Sequence, residues 1–260
     1  MSSFKLIILL ILYIPSYSQI KNVVGIIEYT EQINLGLPIV RTSELIFRNN
    51  SFCYIEKENK TELNKMPGNI QIKKFGNESD HKTKYFVDLQ NKTLFQEDSL
   101  DNELLLVKET LTNIEWIISN DTSSIFLGYK CKKAKASFRG RIYTAWFAPE
   151  IPVEIGPWKL HGLPGLILKA EDNFNQVIFT ATKLAFLEAN NNENNKCNPP
   201  LDKAKILSLK TYIKLVEKND KEYFYQIISN LPRDTNIKTI DYKKDRKSEM
   251  EISFEWEKNE

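Results

Sequence analysis

The feature that most constrains the fold is a succession of short apolar segments, separated by polar breaks, in the first two thirds of the chain. Such segments, rich in Ile, Val, Phe and Tyr, predict an antiparallel sheet of hairpins rather than alternating strands and helices. The segments are VVGIIEYTEQI (23–33), SELIFRN (43–49), SFCYIEK (51–57), NIQIKKF (69–75), KYFVDLQ (84–90), KTLFQED (92–98), ELLLVKE (103–109), EWIISND (115–121), IFLGYKCKKAKASF (125–138), RIYTAWFAP (141–149) and NQVIFTATKLAFLEA (175–189). Ten or more strands are enough for a sheet to curl or close.

The pattern changes at Asn190, where an asparagine-rich loop is followed by apolar residues at helical spacing. Asp202 and Ser208 are alternative caps for a first helical segment, and EYFYQIISNL (222–231) predicts a second that ends before Pro232. The charged stretch 241–249 is interpreted as a solvated linker. After it, Met250, Ile252, Phe254 and Trp256 alternate with polar residues, which predicts a half-buried edge strand.

The expected class is therefore mainly β, within α+β: a curved antiparallel sheet or a partly open β-barrel or sandwich with one or two C-terminal-region helices. Residues 1–18 have a positive start, a short apolar run and small residues, which is typical of a cleaved export signal. We expect a β-rich domain over 19–189, and a helical segment plus edge strand over 190–260 packed on the same domain. The mature chain is expected to lack a transmembrane segment.

The charge balance narrows the class of partner. The chain has 36 Lys and Arg against 34 Asp and Glu, a net charge of +2, so nucleic acid is not an expected partner. Arginine is scarce, and two arginines, Arg139 and Arg141, come shortly before the most unusual loop of the sequence. An arginine in a lysine-rich chain suggests a site that needs its planar guanidinium group.

Three cysteines, Cys53, Cys131 and Cys197, lie in an exported chain, so one disulfide and one remaining thiol are expected, with the pairing left open. Their spacing does not indicate a metal site. Neither a Gly-x-Ser-x-Gly motif nor a phosphate-binding loop occurs, and no cofactor is expected. His81 lies in a polar loop, whereas His161 lies within the unusual loop and, with Glu150 and Glu154, forms the candidate set for a hydrolase.

That loop reads GPWKLHGLPGLIL, residues 156–168, and is almost wholly apolar although turns normally face water. Pro164 and Gly165 predict a type II turn over 163–166, with positive φ at Gly165. Because leaving its large side chains in water would cost about 1.5–3 kcal/mol each, the loop should fold inward and plug or close one end of the curved sheet.

The block 128–173 resembles closely the signature of the GLPGLI family, exported bacterial proteins of unknown function. The matching features are Tyr-x-Cys-x-x-Ala at 129–134, Gly-Arg at 140–141, Trp-Phe at 146–147 and the six name residues Gly162, Leu163, Pro164, Gly165, Leu166 and Ile167. The resemblance implies the envelope of Gram-negative bacteria, a β-rich domain and no established catalytic residues. It also implies kinship with domains that precede the catalytic part of some secreted peptide N-glycosidases.

The functional expectation is a non-catalytic periplasmic or secreted domain that binds a small apolar molecule, a glycan or an envelope protein. One alternative is a secreted hydrolase acting on glycans or peptides, and another is an accessory partner of an outer-membrane receptor or exporter. The candidate binding residues, with the aromatic side chains lining a pocket and the arginines at its rim, are Arg139, Arg141, Tyr143, Trp146, Phe147, Trp158 and His161.

Overall fold

The computed structural model describes residues 23–36, 38–59, 82–100, 103–188, 196–230, 242 and 246–259. The expected export signal, His81 and the segment 69–75 lie outside the described residues. Twelve strands form one sheet: β1 Val23–Ile33, β2 Ile39–Arg48, β3 Ser51–Asn59, β4 Lys84–Asp88, β5 Thr93–Leu100, β6 Glu103–Thr110, β7 Ile117–Phe126, β8 Tyr129–Phe138, β9 Arg141–Ala148, β10 Leu166–Asp172, β11 Val177–Glu188 and β12 Lys205–Ser208.

The order across the sheet is β12-β6-β5-β4-β3-β2-β1-β11-β10-β9-β8-β7. Strands β1 to β6 step outward in one direction as hairpins, and β7 to β11 return from the opposite edge until β11 pairs with β1. Every pairing is antiparallel except that of β12 with β6. The sheet is open, with β12 and β7 as its edges, so the expectation of a mainly β, partly open antiparallel fold is confirmed.

The main core collects the inward-facing side chains of both halves of this sheet, as the period-two burial of its strands requires. The unusual loop lies within that core. The Trp158 ring centroid is 5.7 Å from that of Phe138 and 6.3 Å from that of Tyr143, and Leu160, Leu163 and the start of β10 are fully buried. The prediction that this apolar loop folds inward is confirmed.

The turn inside the loop differs from the predicted type. Gly165 has the expected positive φ, +152°, but its N–H donates to the Leu163 carbonyl at 2.7 Å, a three-residue turn around Pro164. The Leu166 N–H, which would close a four-residue turn, donates instead to the Ile151 carbonyl at 3.0 Å. The prediction of a type II turn is wrong because Leu166 already belongs to a strand-like pairing with the preceding loop segment.

One continuous helix, α1 Leu209–Ser229, replaces the two predicted helical segments. Of the alternative caps, Ser208 is the one used, because its side-chain oxygen accepts from the Thr211 N–H at 3.2 Å. Ile206 lies in β12 rather than in the helix. No described helix is both long enough and apolar enough to span a bilayer.

The predicted C-terminal edge strand is wrong. Residues 251–254 have no regular secondary structure, and a 3-10 helix follows over Glu255–Asn259. The N–H groups of Ile252 and Ser253 both donate to one acceptor, the Arg139 carbonyl, at 2.8 and 3.3 Å. Phe254 is buried, so the alternation in the sequence reflects packing against the β8–β9 turn rather than a strand ladder.

Candidate functional site

A cavity of about 780 Å³ lies at the hairpin ends of β2–β3 and β4–β5. We call it the groove. Its floor is apolar, its rim is polar, and chain segment 197–199 forms one wall; the floor side chains are Val24, Ile46, Phe86 and Phe95, and the rim side chains include Asn49, Asn50, Asp88, Gln90, Asn91 and Lys108. The floor residues belong to the outer face of the sheet, opposite the main core.

A disulfide between Cys53 and Cys197 holds that wall in place. The two residues are 144 positions apart in sequence and 5.2 Å apart at Cα, so the bond ties the loop after β11 to the middle of β3. One disulfide and one remaining thiol are therefore present, as expected. The remaining thiol is Cys131, which is buried, and burial raises its pKa to about 11, so it stays protonated at neutral pH.

The two hairpin turns at the rim are fixed by hydrogen bonds. The Leu89 N–H donates to the Asn50 carbonyl at 2.9 Å and joins one turn to the other. Asn91 donates from its backbone N–H and its side-chain amide to the Asp88 carboxylate at 2.9 and 2.7 Å, and these bonds lower the pKa of Asp88. The rim therefore presents an ionised, oriented carboxylate at neutral pH.

The composition of the groove suits a ligand that is apolar on its faces and polar at its edges. Phe95 supplies a half-buried ring, and the Lys108 ammonium lies 5.9 Å from its centroid. Amide and carboxylate groups supply paired donors and acceptors around that ring. Pockets that combine an apolar lining with a few placed polar groups are the usual form of a small-ligand site.

Neither arginine singled out in the sequence lines the groove. Arg139 is buried and pairs with Glu109, Glu251 and Glu255 at 2.8, 3.1 and 2.9 Å. Arg141 is buried and pairs with Asp172 at 2.7 Å. Its guanidinium also donates to three carbonyls of the tail, at residues 247, 249 and 250. The planar guanidinium group of Arg141 therefore makes several hydrogen bonds at once, and its partners include the protein's own C-terminal tail.

The aromatic candidates are not assembled into a pocket either. Tyr143, Phe147 and Trp158 are buried in the main core. Trp146 lies on the opposite face of β9, half-buried, with the Lys169 ammonium 4.7 Å from its centroid. None of these candidates lines the groove, and their part in ligand binding stays a prediction.

The structure brings two of the three hydrolase candidates together. Ile155 and His161 form an isolated bridge, and the Gly162 N–H donates to the Glu154 carbonyl at 3.0 Å. Burial lowers the pKa of His161, whose Nδ1 lies 2.9 Å from the Lys159 carbonyl. The imidazole is therefore neutral at pH 7. Glu150 lies in the exposed turn after β9, outside this bridge.

Sequence reasoning missed two buried charge clusters. In the first, the Arg41 guanidinium donates to Glu31 at 2.6 Å and to Glu56 at 2.8 Å, and the Tyr54 hydroxyl donates to Glu31. Burial, with a smaller contribution from the Glu31 carboxylate, raises the pKa of Glu56 to about 7, although the Arg41 guanidinium acts in the opposite direction. The signal that could have placed Glu31 on the inner face is the alternation of β1, because Ile27, Tyr29 and Ile33 are buried on the same side.

The second cluster centres on Lys159, inside the apolar loop. Its ammonium pairs with Glu109 at 2.6 Å and Glu251 at 3.1 Å. Burial lowers the pKa of Lys159, but the two carboxylates outweigh it and raise the pKa. No group of three or more metal-ligating side chains occurs within the described ranges.

Sequence reasoning also missed the groove. The sequence feature that could have indicated the groove is the presence of asparagine at both hairpin turns and next to Cys197. No local pattern in the sequence places these three segments together: the pairing of β3 with β4 sets the two hairpin turns side by side, and the Cys53–Cys197 disulfide adds segment 197–199.

The fold and the groove define a β-rich, open-sheet domain. Residues 68–212, more than half of the chain, match the model of the family described as N-glycanase peptide, N-terminal domain, and the chain belongs to that family. No curated protein sequence matches the chain.

Two solved structures of PNGF-II, in the P21 and C2 space groups, share the fold, with TM-scores of 0.51 and 0.51 and identities of 18% and 19%. Each similarity covers 75% of this chain and 33% of the solved one, so the chain spans about a third of their length. An uncharacterized conserved protein from Thermus thermophilus is more distant, at a TM-score of 0.39 and 10% identity over 72% of this chain and 91% of the other.

Proposed function

We propose that this chain is an exported, non-catalytic domain that binds glycans in the groove. The observation that carries the proposal is the composition of the groove: a half-buried phenylalanine on its floor and amide and carboxylate side chains around it. A sugar ring has apolar C–H faces and a rim of hydroxyls, so it matches both parts. The family description, which names an N-glycanase, supports the same ligand class.

Export and the GLPGLI family belong to the same proposal. The intact motif at 162–167 supports that family, and the apolar stretch within 1–18 supports cleavage on export. The Cys53–Cys197 disulfide supports a destination in the periplasm or outside the cell, because disulfides persist in oxidising compartments.

Titration calorimetry with N-glycan oligosaccharides tests the proposal. Phe95→Ala should weaken binding about tenfold or more, because a buried aromatic contact of this kind is worth about 1–2 kcal/mol. Phe174→Ala is the matched control, since Phe174 is an exposed phenylalanine outside the groove and its loss should leave the Kd unchanged. Equal effects of the two substitutions, or no binding by the unaltered chain, would contradict glycan binding in the groove.

The adjacency of Glu154 and His161 supports one alternative, a hydrolase of glycans or peptides. Replacing Glu150, Glu154 and His161 together by alanine distinguishes the two proposals. A binding domain keeps its affinity for the oligosaccharide after this change. A hydrolase would release product from glycopeptide before the change and lose that activity after it.

A further inference from the structure

The outer face of strands β7 to β10 is a second exposed surface, separate from the groove. Ala134, Ala136 and Phe138 of β8 face the core, so the intervening Lys133 and Lys135 face outward. Cross-strand pairing sets Ile117 beside Lys135, and Trp146 beside Lys133, on this outer face. We call this the lysine face.

Large apolar side chains on the lysine face are unusually exposed. Ile117 on the edge strand β7 is 76% exposed, and Ile142 on β9 is 50% exposed. Phe174, in the adjoining β10–β11 turn, is 67% exposed, and the Asn173 N–H beside it donates to the Ile142 carbonyl at 2.9 Å. Clusters of exposed apolar side chains mark interaction surfaces in soluble proteins.

The centre of the face is aromatic and cationic. Trp146 lies between Lys133 on β8 and Lys169 on β10 in the register of the sheet, and their ammonium groups are 5.4 and 4.7 Å from its ring centroid. Phe126 meets the same indole edge-on, with centroids 6.1 Å apart. These three strands therefore present a tryptophan framed by positive charge.

The positive charge of the lysine face is local. Glu171 pairs with Lys169 at 2.7 Å and neutralises it. Lys133 and Lys135 have no ion pair with any residue that the structure describes. Because the whole chain is only at +2, two lysines without an ion pair give this face a local excess of positive charge.

We infer that the lysine face docks on the anionic surface of a lipid membrane. Its lysines complement phosphate headgroups, and each is worth about 1 kcal/mol near such a surface, or about fivefold in affinity. Its isoleucines enter the boundary between headgroups and acyl chains, where Trp146 also finds both apolar and polar surroundings. An acidic polysaccharide would satisfy the lysines, but it gives the exposed isoleucines no apolar phase to enter.

Vesicle co-sedimentation of the full chain tests this inference. Binding should be strong to vesicles of equal parts phosphatidylglycerol and phosphatidylcholine, weak to pure phosphatidylcholine, and reduced by salt. Lys133→Gln combined with Lys135→Gln should weaken binding to the anionic vesicles about 30-fold. Ile117→Ser combined with Ile142→Ser should weaken it about tenfold while the salt dependence remains.

The matched control is Lys214→Gln with Lys221→Gln, two exposed lysines of helix α1 with the same change in charge. It should retain binding, and all variants carry the same N-terminal residues, whose contribution therefore cancels. Equal loss in the control, no loss in the lysine-face variants, or binding to immobilised alginate but not to vesicles would overturn the inference. Unchanged melting temperatures establish that the variants are folded.

Discussion

Arg141 and Asp172 form an ion pair with no exposed side-chain surface on either residue, 2.7 Å from Nη1 to Oδ2. The pair also fixes two neighbouring backbone segments. Asp172 accepts hydrogen bonds from the N–H groups of Gln176 and Val177, and Arg141 donates to carbonyl groups of the tail. The β10–β11 turn and the C-terminal tail are therefore organised by one guanidinium–carboxylate contact.

Arg141→Lys should lower the free energy of unfolding by about 3–5 kcal/mol, because a single ammonium cannot reach all of these acceptors and leaves Asp172 buried without its full set of donors. Arg246→Lys is the control. Arg246 pairs with Glu217 and Glu257 in a more exposed setting, and its replacement should cost about 1 kcal/mol or less. Urea denaturation measures both, and similar costs would show that Arg141 does not organise the tail.

Substitutions at two glycines of the 156–168 loop distinguish the effect of positive φ on stability from the effect of close packing. Gly162 has φ of +88° and open space where a Cβ would lie, whereas a Cβ on Gly165 would lie 2.4 Å from the Ala148 carbonyl oxygen. Gly162→Ala should therefore cost about 1 kcal/mol from φ alone. Gly165→Ala should lower the free energy of unfolding by roughly 1–3 kcal/mol more than Gly162→Ala, because the backbone at Ala148 must move to make room for the new Cβ. Thermal and denaturant unfolding of both variants measure the difference, and equal costs would contradict tight packing at Gly165.

Thiol titration checks the disulfide. The unfolded, unreduced chain should show one reactive thiol, from Cys131, and three after reduction. Reduction should lower the free energy of unfolding by about 2–4 kcal/mol and weaken ligand binding in the groove, because segment 197–199 loses its tether. Cys131→Ala should show no thiol before reduction and the same loss after it. Three thiols in the untreated chain would contradict the pairing.

Burial of Glu56 makes stability depend on pH in a defined direction. Its pKa is raised from an unfolded value of about 4.3 to about 7, so the folded chain binds more protons between these values. The contribution of Glu56 to stability is therefore most favourable below about pH 4 and falls, by up to roughly 3 kcal/mol, as pH rises through 7. Glu56→Gln should remove this slope.

Glu28→Gln is the control for that experiment, because Glu28 lies on the same sheet but pairs with Lys183 at the surface. Unfolding curves from pH 4 to 8 for the three proteins give the comparison. A slope that survives in Glu56→Gln would assign the pH dependence to another group.

Local patterns predicted most elements of this fold. Alternation in β8, with Ala134, Ala136 and Phe138 buried, and the apolar sequence of the loop at 156–168 reflect burial that each segment needs wherever it packs. The same reasoning failed for the tail, since Ile252 and Phe254 need a surface to pack against but not a strand partner, and of the two only Phe254 is buried. It also did not predict the buried ion pair of Lys159, because the apolar residues around Lys159 in the sequence do not indicate that Glu109, far away along the chain, lies next to it in the fold.

The sequence by itself determined a β-rich domain with a buried glycine-proline loop, because period-two burial and turn chemistry act between residues a few positions apart. Only the tertiary structure decided that Cys53 meets Cys197, that three asparagine-bearing turns enclose one groove, and that Arg139 and Arg141 hold the C-terminal tail. Those contacts join residues about a hundred positions apart, and their partners are set by the order of strands in the sheet, which no local pattern encodes.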